Sequence, residues 1–385
     1  MVEPTPGRGG LPGYRVPMAP TAPDLSPYDA VLLGSFGGPE SEDEVMPFLR
    51  RVTAGRDIPD ARLAAVGEHY YARGGRSPIN DLNRDLLARL REELAWRGLD
   101  VPVLWGNRNS EPFFADAVHE ALERGASRVV TVLTSAYSCY SSCRQYREDL
   151  AAAVEAVGPA ADGLQIDKVR PYVHHPSLGR AWLDNLLESL RTLPEPGRAR
   201  LLFVTHSVPT AMDDTSGPGD GEGNLYVDQH LRLAHRLTDE VNAVLGTAIE
   251  GELVFCSRSG PPSQPWLEPD VNDRIEELAA VSADPVLCAP IGFVSDHMEV
   301  VHDLDTEAAE TAERVGVPFV RVPTPHASEV FVKGLVDLLL ERAAEARGEV
   351  VVPDTWLPGD VRPSVCAPGC CPNLRAAKPA LCGSD

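Results

Sequence analysis

Two short runs of the chain carry side chains that could move protons or hold a cation. LLFVTHSVP (201–209) offers His206, and PIGFVSDHMEVVHDLDTE (290–307) offers His297, Glu299, Asp303 and Glu307. Imidazole ionises near pH 6.5 and so exchanges protons at neutral pH; carboxylates bind hard cations or pass protons along. Glu299, Asp303 and Glu307 are spaced four apart, which on a helix makes one row of carboxylates. Like charges at that spacing destabilise an isolated helix by roughly 0.2–0.5 kcal/mol per pair. Two readings are open: a solvated helix face, or a row that binds cations or relays protons. Its start at a strand end, beside two histidines, keeps the second reading in play.

Those side chains need elements to position them. Each run opens with an apolar segment that reads as a buried parallel strand, and each delivers its polar residues past the strand's carboxyl end. Ligands of open α/β sheets bind at that edge, so the two runs are expected to face each other across one cleft. The remaining chain alternates in the same way. Strands are expected over 29–38, 101–105, 128–133 and 166–169, then 200–205, 253–256, 285–289 and 318–322. Helices are expected after Ser41 and over 78–96, 111–124, 141–157 and 176–190, then over 226–245, 271–280, a segment after Asp296, and 329–347. Alternation implies parallel sheets flanked by helices. The divisions expected are a Pro- and Gly-rich disordered tail (1–27), two α/β lobes (28–173 and 174–349) and a Cys-rich extension (350–385).

The 385 residues are 43% hydrophobic, enough for a full core, and carry a net charge of −22. That charge argues against nucleic acid and anionic membrane surfaces, and it suits a cationic metal substrate. No run of about 18 apolar residues is present, so no transmembrane helix is expected. The N-terminal tail lacks the apolar core of a secretory signal. A cytoplasmic protein is expected, whose eight cysteines are thiols or metal ligands rather than disulfides. Cys366, Cys370, Cys371 and Cys382 crowd a tail too small for its own core, which points to a metal, zinc or an iron–sulfur cluster, with free thiols the alternative. Cys256 and Cys288 sit in apolar strands as core residues.

Other residues have two readings each. Ser41 and Glu44 form a capping-box pattern. Arg50 and Arg51 end that helix, either to offset its dipole or to meet substrate carboxylates. Ser77, before Pro78, is a helix cap or part of an anion site. The Pro-rich stretch 261–269 with Trp266 is a wall of a flat ligand's pocket or a packed loop.

Five segments, SFGGPE (35–40), the GG-x-SP loop (74–78), VTHSVP (204–209), PWLEPDV (265–271) and GFVSDHMEV (292–300), together resemble the ferrochelatase family, in its order and over about residues 28–340. The resemblance implies two Rossmann-like lobes, with parallel sheets flanked by helices and a porphyrin cleft between them. It also implies insertion of Fe2+ with release of two protons. By position, His206 and Glu299 would be the catalytic, iron-site residues. His297, Asp303 and Glu307 would form a path for protons or metal on a distorted helix, and Ser77, Tyr146, Arg50 and Phe36 would contact the porphyrin. Phe36 stands where some bacterial members place a tyrosine, so no axial oxygen is offered there. Many members hold a [2Fe–2S] cluster on one internal and three C-terminal cysteines, here Cys143, Cys366, Cys370 and Cys371, with Cys139 and Cys382 as alternates. Cluster-bearing bacterial members of this kind act on coproporphyrin III to give coprohaem; protoporphyrin IX is the alternative substrate. Four propionates would need several donors, with Arg50, Arg51, Ser77 and Arg144 as candidates. A monomer is expected. The rivals are a non-catalytic haem or iron–sulfur sensor on the same scaffold and a cobalt chelatase; the intact His206 and Glu299 argue against the sensor.

The residue types suit that chemistry. Two pyrrole protons must leave before a metal can sit in the ring. A neutral histidine can accept one, and carboxylates can carry protons outward or hold Fe2+, for which oxygen and imidazole are fitting ligands.

Overall fold

Continuous apolar runs, buried on both faces, make two four-stranded parallel sheets. The computed structural model describes residues 23–56, 58–218, 223–260 and 263–384. The first sheet is built from β1 (Ala30–Ser35), α1 (Glu42–Val52), α2 (Asp60–Tyr71), α3 (Ile79–Trp96), β2 (Val103–Asn107), α4 (Phe114–Glu123) and β3 (Arg128–Leu133). A π-helical turn, Tyr140–Arg144, then leads into α5 (Gln145–Val157) and β4 (Gln165–Lys168). The second follows α6 (Pro176–Leu190) with β5 (Arg200–His206), α7 (Thr210–Asp214), α8 (Leu225–Leu245), β6 (Glu250–Cys256), α9 (Val271–Val281) and β7 (Val286–Ala289). After these come α10 (Met298–His302), a second π-helical turn Asp303–Ala308, α11 (Ala309–Val315), β8 (Phe319–Arg321) and α12 (Glu329–Ala346).

Strand order is β2-β1-β3-β4 in one sheet and β6-β5-β7-β8 in the other. In each, the chain leaves the first strand to one side and returns on the other. That places a crevice at the carboxyl ends of β1 and β3, and a second at those of β5 and β7. Leu33 and Val130 of the first sheet and Leu201, Phe203 and Leu287 of the second belong to one contiguous core, which also holds Trp182 of α6 and Phe331 of α12. Helix α12 crosses back to pack on α3 as well as α6. Helices α1 and α2 keep a small core of their own, with Val45, Phe48, Leu49, Leu63 and Tyr70, joined by Met298 of α10.

Several details differ from expectation. Helix α2 was not marked by the sequence pattern, since its apolar residues are mostly small and only Leu63, Gly67 and Tyr70 are buried. Within the expected disordered tail, residues 23–27 are ordered: Leu25 is buried in the main core and Arg347 Nη1 donates to the Ser26 carbonyl at 2.6 Å. Residues 1–22 lie outside the described residues. Ser41 occupies the cap position of α1 without bonding through its hydroxyl; the Glu44 carboxylate instead accepts from Glu40 N at 2.9 Å. Helix α3 begins at Ile79 with Pro78 in the cap position. Ser77 therefore lies ahead of the cap, buried, its amide donating to the Pro39 carbonyl at 2.9 Å.

Candidate active site

His206 closes β5, and Glu299 stands in α10 on the segment that follows β7. Gly292 lets that segment lie against the end of β5, where a Cβ would come 2.1 Å from Thr205 Oγ1. Its amide donates to the Val204 carbonyl at 3.1 Å. The close approach brings His206 Nε2 within 3.5 Å of Glu299 Oε2, with both side chains open to the cleft (32% and 45% exposed).

The imidazole is oriented from behind. His206 Nδ1–H donates to the Ser207 carbonyl at 2.5 Å, which turns Nε2 toward Glu299. Tyr226 Oη donates to the His206 carbonyl at 3.0 Å and lies 2.7 Å from Thr205 Oγ1, which is itself 2.9 Å from His230 Nε2. Tyr137, from the first lobe, stacks on His230 at 3.7 Å and donates to the Ile291 carbonyl at 2.5 Å. Residues 265–267 brace the chain after His206, with Leu267 N on the Val208 carbonyl at 3.1 Å and Ser207 Oγ on the Leu267 carbonyl at 2.8 Å.

Burial works against the His206 imidazolium, and the Glu299 carboxylate more than offsets it, so the histidine is raised above its ordinary value. Burial would push Glu299 up; hydrogen bonding to His206, with the charges of His206, His297 and Arg56, holds it down at about 2. The pair thus favours an imidazolium beside a carboxylate, the state reached when His206 takes up a proton. His297 accepts from Glu299 N through Nδ1 at 3.2 Å, as the cap of α10. Burial lowers its pKa, and the Glu299 carboxylate opposes that shift.

The carboxylate row is not straight. The π-helical turn at Asp303–Ala308 inserts a wider turn just past Glu299, and the four-residue spacing no longer aligns one face. Asp303 accepts from Ser257 Oγ, and burial, aided by Glu299 and Glu307, pushes Asp303 up to about 6 even though the Ser257 hydroxyl opposes the rise. Ser257 has φ of 62°, a left-handed conformation unusual for a side chain other than Asn, Asp or Gly. Glu307 pairs with His302 at 3.2 Å. His302, Asp303 and Glu307 each present a ligand atom, all within 4.8 Å of one another, and His69 of α2 stacks on His302 at 3.6 Å.

The first lobe supplies the opposite wall. Arg108, ion-paired with Asp149, lies 5.4 Å from the Phe36 ring centroid and 4.7 Å from that of Tyr146. Arg50 points elsewhere: it is 56% exposed and pairs with Asp60 at 3.0 Å. Arg51 donates to the Asn109 carbonyl at 2.9 Å. Arg144 donates to Glu148 at 3.3 Å and to the Lys378 carbonyl at 3.4 Å. Each of these three is engaged within the protein. Arg56, whose charge acts on Glu299, was missed, as were Arg108 and Ser257. Arg56 lies a few residues beyond the Arg pair that drew attention, and no local pattern marks it.

A second centre lies at the edge of the first lobe. Cys143 of the π-helical turn and Cys366, Cys370 and Cys371 of the tail form a buried cluster of cysteines alone. Cys143 is hydrogen-bonded to Cys366, and the Cys370 and Cys371 sulfurs are 3.8 Å apart. Gly217 N donates to Cys371 Sγ at 3.4 Å. Lys168 is fully enclosed; burial pulls its ammonium down, and the cysteine sulfurs of Cys143, Cys366 and Cys382 raise it by more. The buried Arg147 also bears on Cys366. Cys382 Sγ is occupied 3.2 Å from the Ile166 carbonyl, and Cys139 Sγ lies 3.2 Å from Ser141 Oγ. Four buried thiols in one cluster, with two buried cations nearby, fit a group that binds through four thiolates and carries negative charge.

A cleft between two parallel sheets, with an imidazole and a carboxylate at a switch point, defines a chelatase-like site. Residues 28–343 match the Ferrochelatase family. The coproporphyrin III ferrochelatase of Leifsonia xyli subsp. xyli is 50% identical over 376 residues, covering 92% of this chain and 94% of that protein. The coproporphyrin III ferrochelatase of Streptomyces griseus is 49% identical over 371 residues, covering 94% and 98%. Among solved structures, SirB from Bacillus subtilis with Fe3+ aligns with 83% of this chain and 97% of that chain, at a TM-score of 0.48 and 13% identity. The chain belongs to the ferrochelatase family.

Proposed function

We infer that this protein inserts Fe2+ into coproporphyrin III, giving coprohaem in haem biosynthesis. The His206–Glu299 pair, side by side at the carboxyl ends of β5 and β7, carries the reading, and the named activity of its close relatives supports the choice of porphyrin. His206 Nε2 accepts the two pyrrole protons in turn, the first passed on before the second is taken, and Glu299 stabilises the imidazolium so formed and meets the entering iron. Asp303, poised near neutrality, takes the proton onward toward His302 and Glu307. Phe36, Tyr146 and Ser77 hold the ring from the first lobe. A monomer is part of the same reading. Among the described residues no helix is long and apolar enough to cross a membrane, in keeping with a cytoplasmic enzyme. An anaerobic insertion assay with coproporphyrin III and protoporphyrin IX tests the substrate: kcat/KM should favour coproporphyrin III by at least about tenfold, about 1.4 kcal/mol of differential transition-state binding. A preference for protoporphyrin IX would overturn it.

The acid side of the pH profile should report His206, which as a base with a raised pKa protonates first, and below it Asp303. As an acceptor it must be ionised, so activity falls as pH drops through about 6. The Ser257 hydroxyl stabilises the carboxylate; removing it raises the Asp303 pKa, and the acid limb moves to higher pH. Ser257→Ala should lose about tenfold in kcat at pH 6 while staying within about twofold at pH 8. An acid limb identical to wild type would remove Asp303 from the path.

A [2Fe–2S] cluster belongs to the same reading. Cys143, Cys366, Cys370 and Cys371 would hold it, with Lys168 and Arg147 balancing its charge. When bound, such a group supplies a covalent crosslink and one-electron chemistry.

A further inference from the structure

Two hydrogen-bonded routes run from the cysteine centre to the back of His206, and both pass through the first turns of α8. One starts at Cys371. Its amide donates to the Gly217 carbonyl at 2.8 Å, and its Sγ accepts from Gly217 N at 3.4 Å. The neighbouring Ser216 and the nearby Asp213 begin the helix from outside. Asn224, in the cap position of α8, makes no side-chain cap bond, so the first amides of the helix need other acceptors. Ser216 Oγ accepts from Tyr226 N at 2.9 Å, and Asp213 Oδ1 accepts from Val227 N at 3.1 Å. Tyr226 then reaches the His206 carbonyl through its hydroxyl at 3.0 Å.

The other route starts at Cys143 in the π-helical turn. Cys143 N donates to the Cys139 carbonyl at 2.9 Å. Ser138, the preceding residue, is clasped by Gln229 of α8: Ser138 N donates to Gln229 Oε1 at 2.8 Å, and Gln229 Nε2 donates to Ser138 Oγ at 3.2 Å. One residue on, His230 Nδ1–H donates to the Tyr226 carbonyl at 2.7 Å, which leaves Nε2 to accept from Thr205 Oγ1 at 2.9 Å. Thr205 directly precedes His206. Ser138, Asp213, Ser216, Tyr226, Gln229 and His230 are all buried beyond nine-tenths. A bond broken there has no solvent to replace it, and close packing passes a displacement on to the next contact.

We propose that the first two turns of α8 are a positioning element for His206, with Ser216 and Gln229 as positioning residues, and that the cysteine centre holds this element from two sides. The inference rests on the iron-insertion reading and on the four-thiolate group above, and it deepens both. Filling the cysteine site aims the imidazole, a role that needs no electron to pass between the centres. Coupling of this kind is reciprocal: loosening the helix start also loosens the cysteine site.

Both directions are read on the full-length, cluster-loaded protein. Gln229→Met keeps the bulk of the side chain and removes both bonds to Ser138; Ser216→Ala removes the acceptor of Tyr226 N. In each, kcat for iron insertion should fall about tenfold, with KM for coproporphyrin III within about twofold of wild type. A merely structural role would lower thermal stability and leave kcat unchanged. Loss of iron to an added chelator, followed by the visible absorption, should be about three- to tenfold faster in both variants. It should be faster also in Tyr226→Phe, whose missing hydroxyl lies at the His206 end. Thr238→Val, on a later turn of α8, should alter neither kcat nor release; effects there as large as the others would overturn the assignment. Should Gln229→Met fail to fold, Ser216→Ala and Tyr226→Phe decide. Release at the wild-type rate in those two, in a protein whose wild type inserts iron, would overturn the coupling alone. Wild-type protein that carries the absorption but metallates neither porphyrin would overturn the functional reading, and the aiming role of α8 with it.

Discussion

His206→Ala should lower kcat for iron insertion by about 10²- to 10⁴-fold, the range for loss of a positioned general base, while porphyrin binding stays within about threefold of wild type. Much of the structure around this residue serves to aim its ring. The Ser207 carbonyl fixes Nδ1–H, Tyr226 holds the backbone, and Nε2 is left toward Glu299 at 3.5 Å. Glu299→Gln keeps the shape and removes the charge that raises His206. It should cost a similar factor, and the basic character of His206 should fall with it. Because the two act on one proton, the double variant should be little worse than either single one. The assay is anaerobic iron insertion followed by absorbance, with fluorescence quenching as the binding control. Substantial turnover in His206→Ala, say half of wild type, would dismiss the histidine as proton acceptor.

Cys143→Ser should abolish the visible absorption and the protein-bound iron and labile sulfide, and should release the C-terminal extension to proteolysis. Cys366→Ser should do the same. The tail has almost no apolar core, its buried cysteine cluster packing only thiols, so a bound group would supply most of its folding free energy. Cys139→Ser and Cys382→Ser should keep the absorption, since those sulfurs are turned to Ser141 and to the Ile166 carbonyl. Iron and sulfide analysis of the four purified variants decides between the sets. Loss of the chromophore in Cys382→Ser with retention in Cys371→Ser would reverse the ligand assignment.

The two residues at the centre of the site were legible because both follow apolar strands whose carboxyl ends must border a crevice in a parallel sheet. The sheet order, repeated in the two halves, is the geometric form of that alternation. The bend beyond Glu299 was legible only through the family resemblance, which implied a distorted helix: residues four apart read as one helical face, and a π-helical turn leaves no local signature in DLDTEA. Arg50 drew attention by its place at a helix end, yet Asp60, on a helix the sequence pattern did not mark, claims it. Arg56 and Arg108 come from distant segments, and no local pattern marks either. For the tail, cysteine density pointed to a centre, and three-dimensional packing is what separates Cys371 from Cys382.

The core that runs without interruption from one sheet to the other has a consequence for traffic through the cleft. A clamshell swing of the lobes would tear apart Leu33, Trp182, Leu201 and Phe331 and wet a large apolar area at roughly 25 cal/mol per Å². The α1–α2 hairpin, with its separate handful of apolar residues reaching Met298 beside Glu299, can lift at far smaller expense. Opening beside the α1–α2 hairpin would therefore disturb less buried apolar surface than parting the lobes.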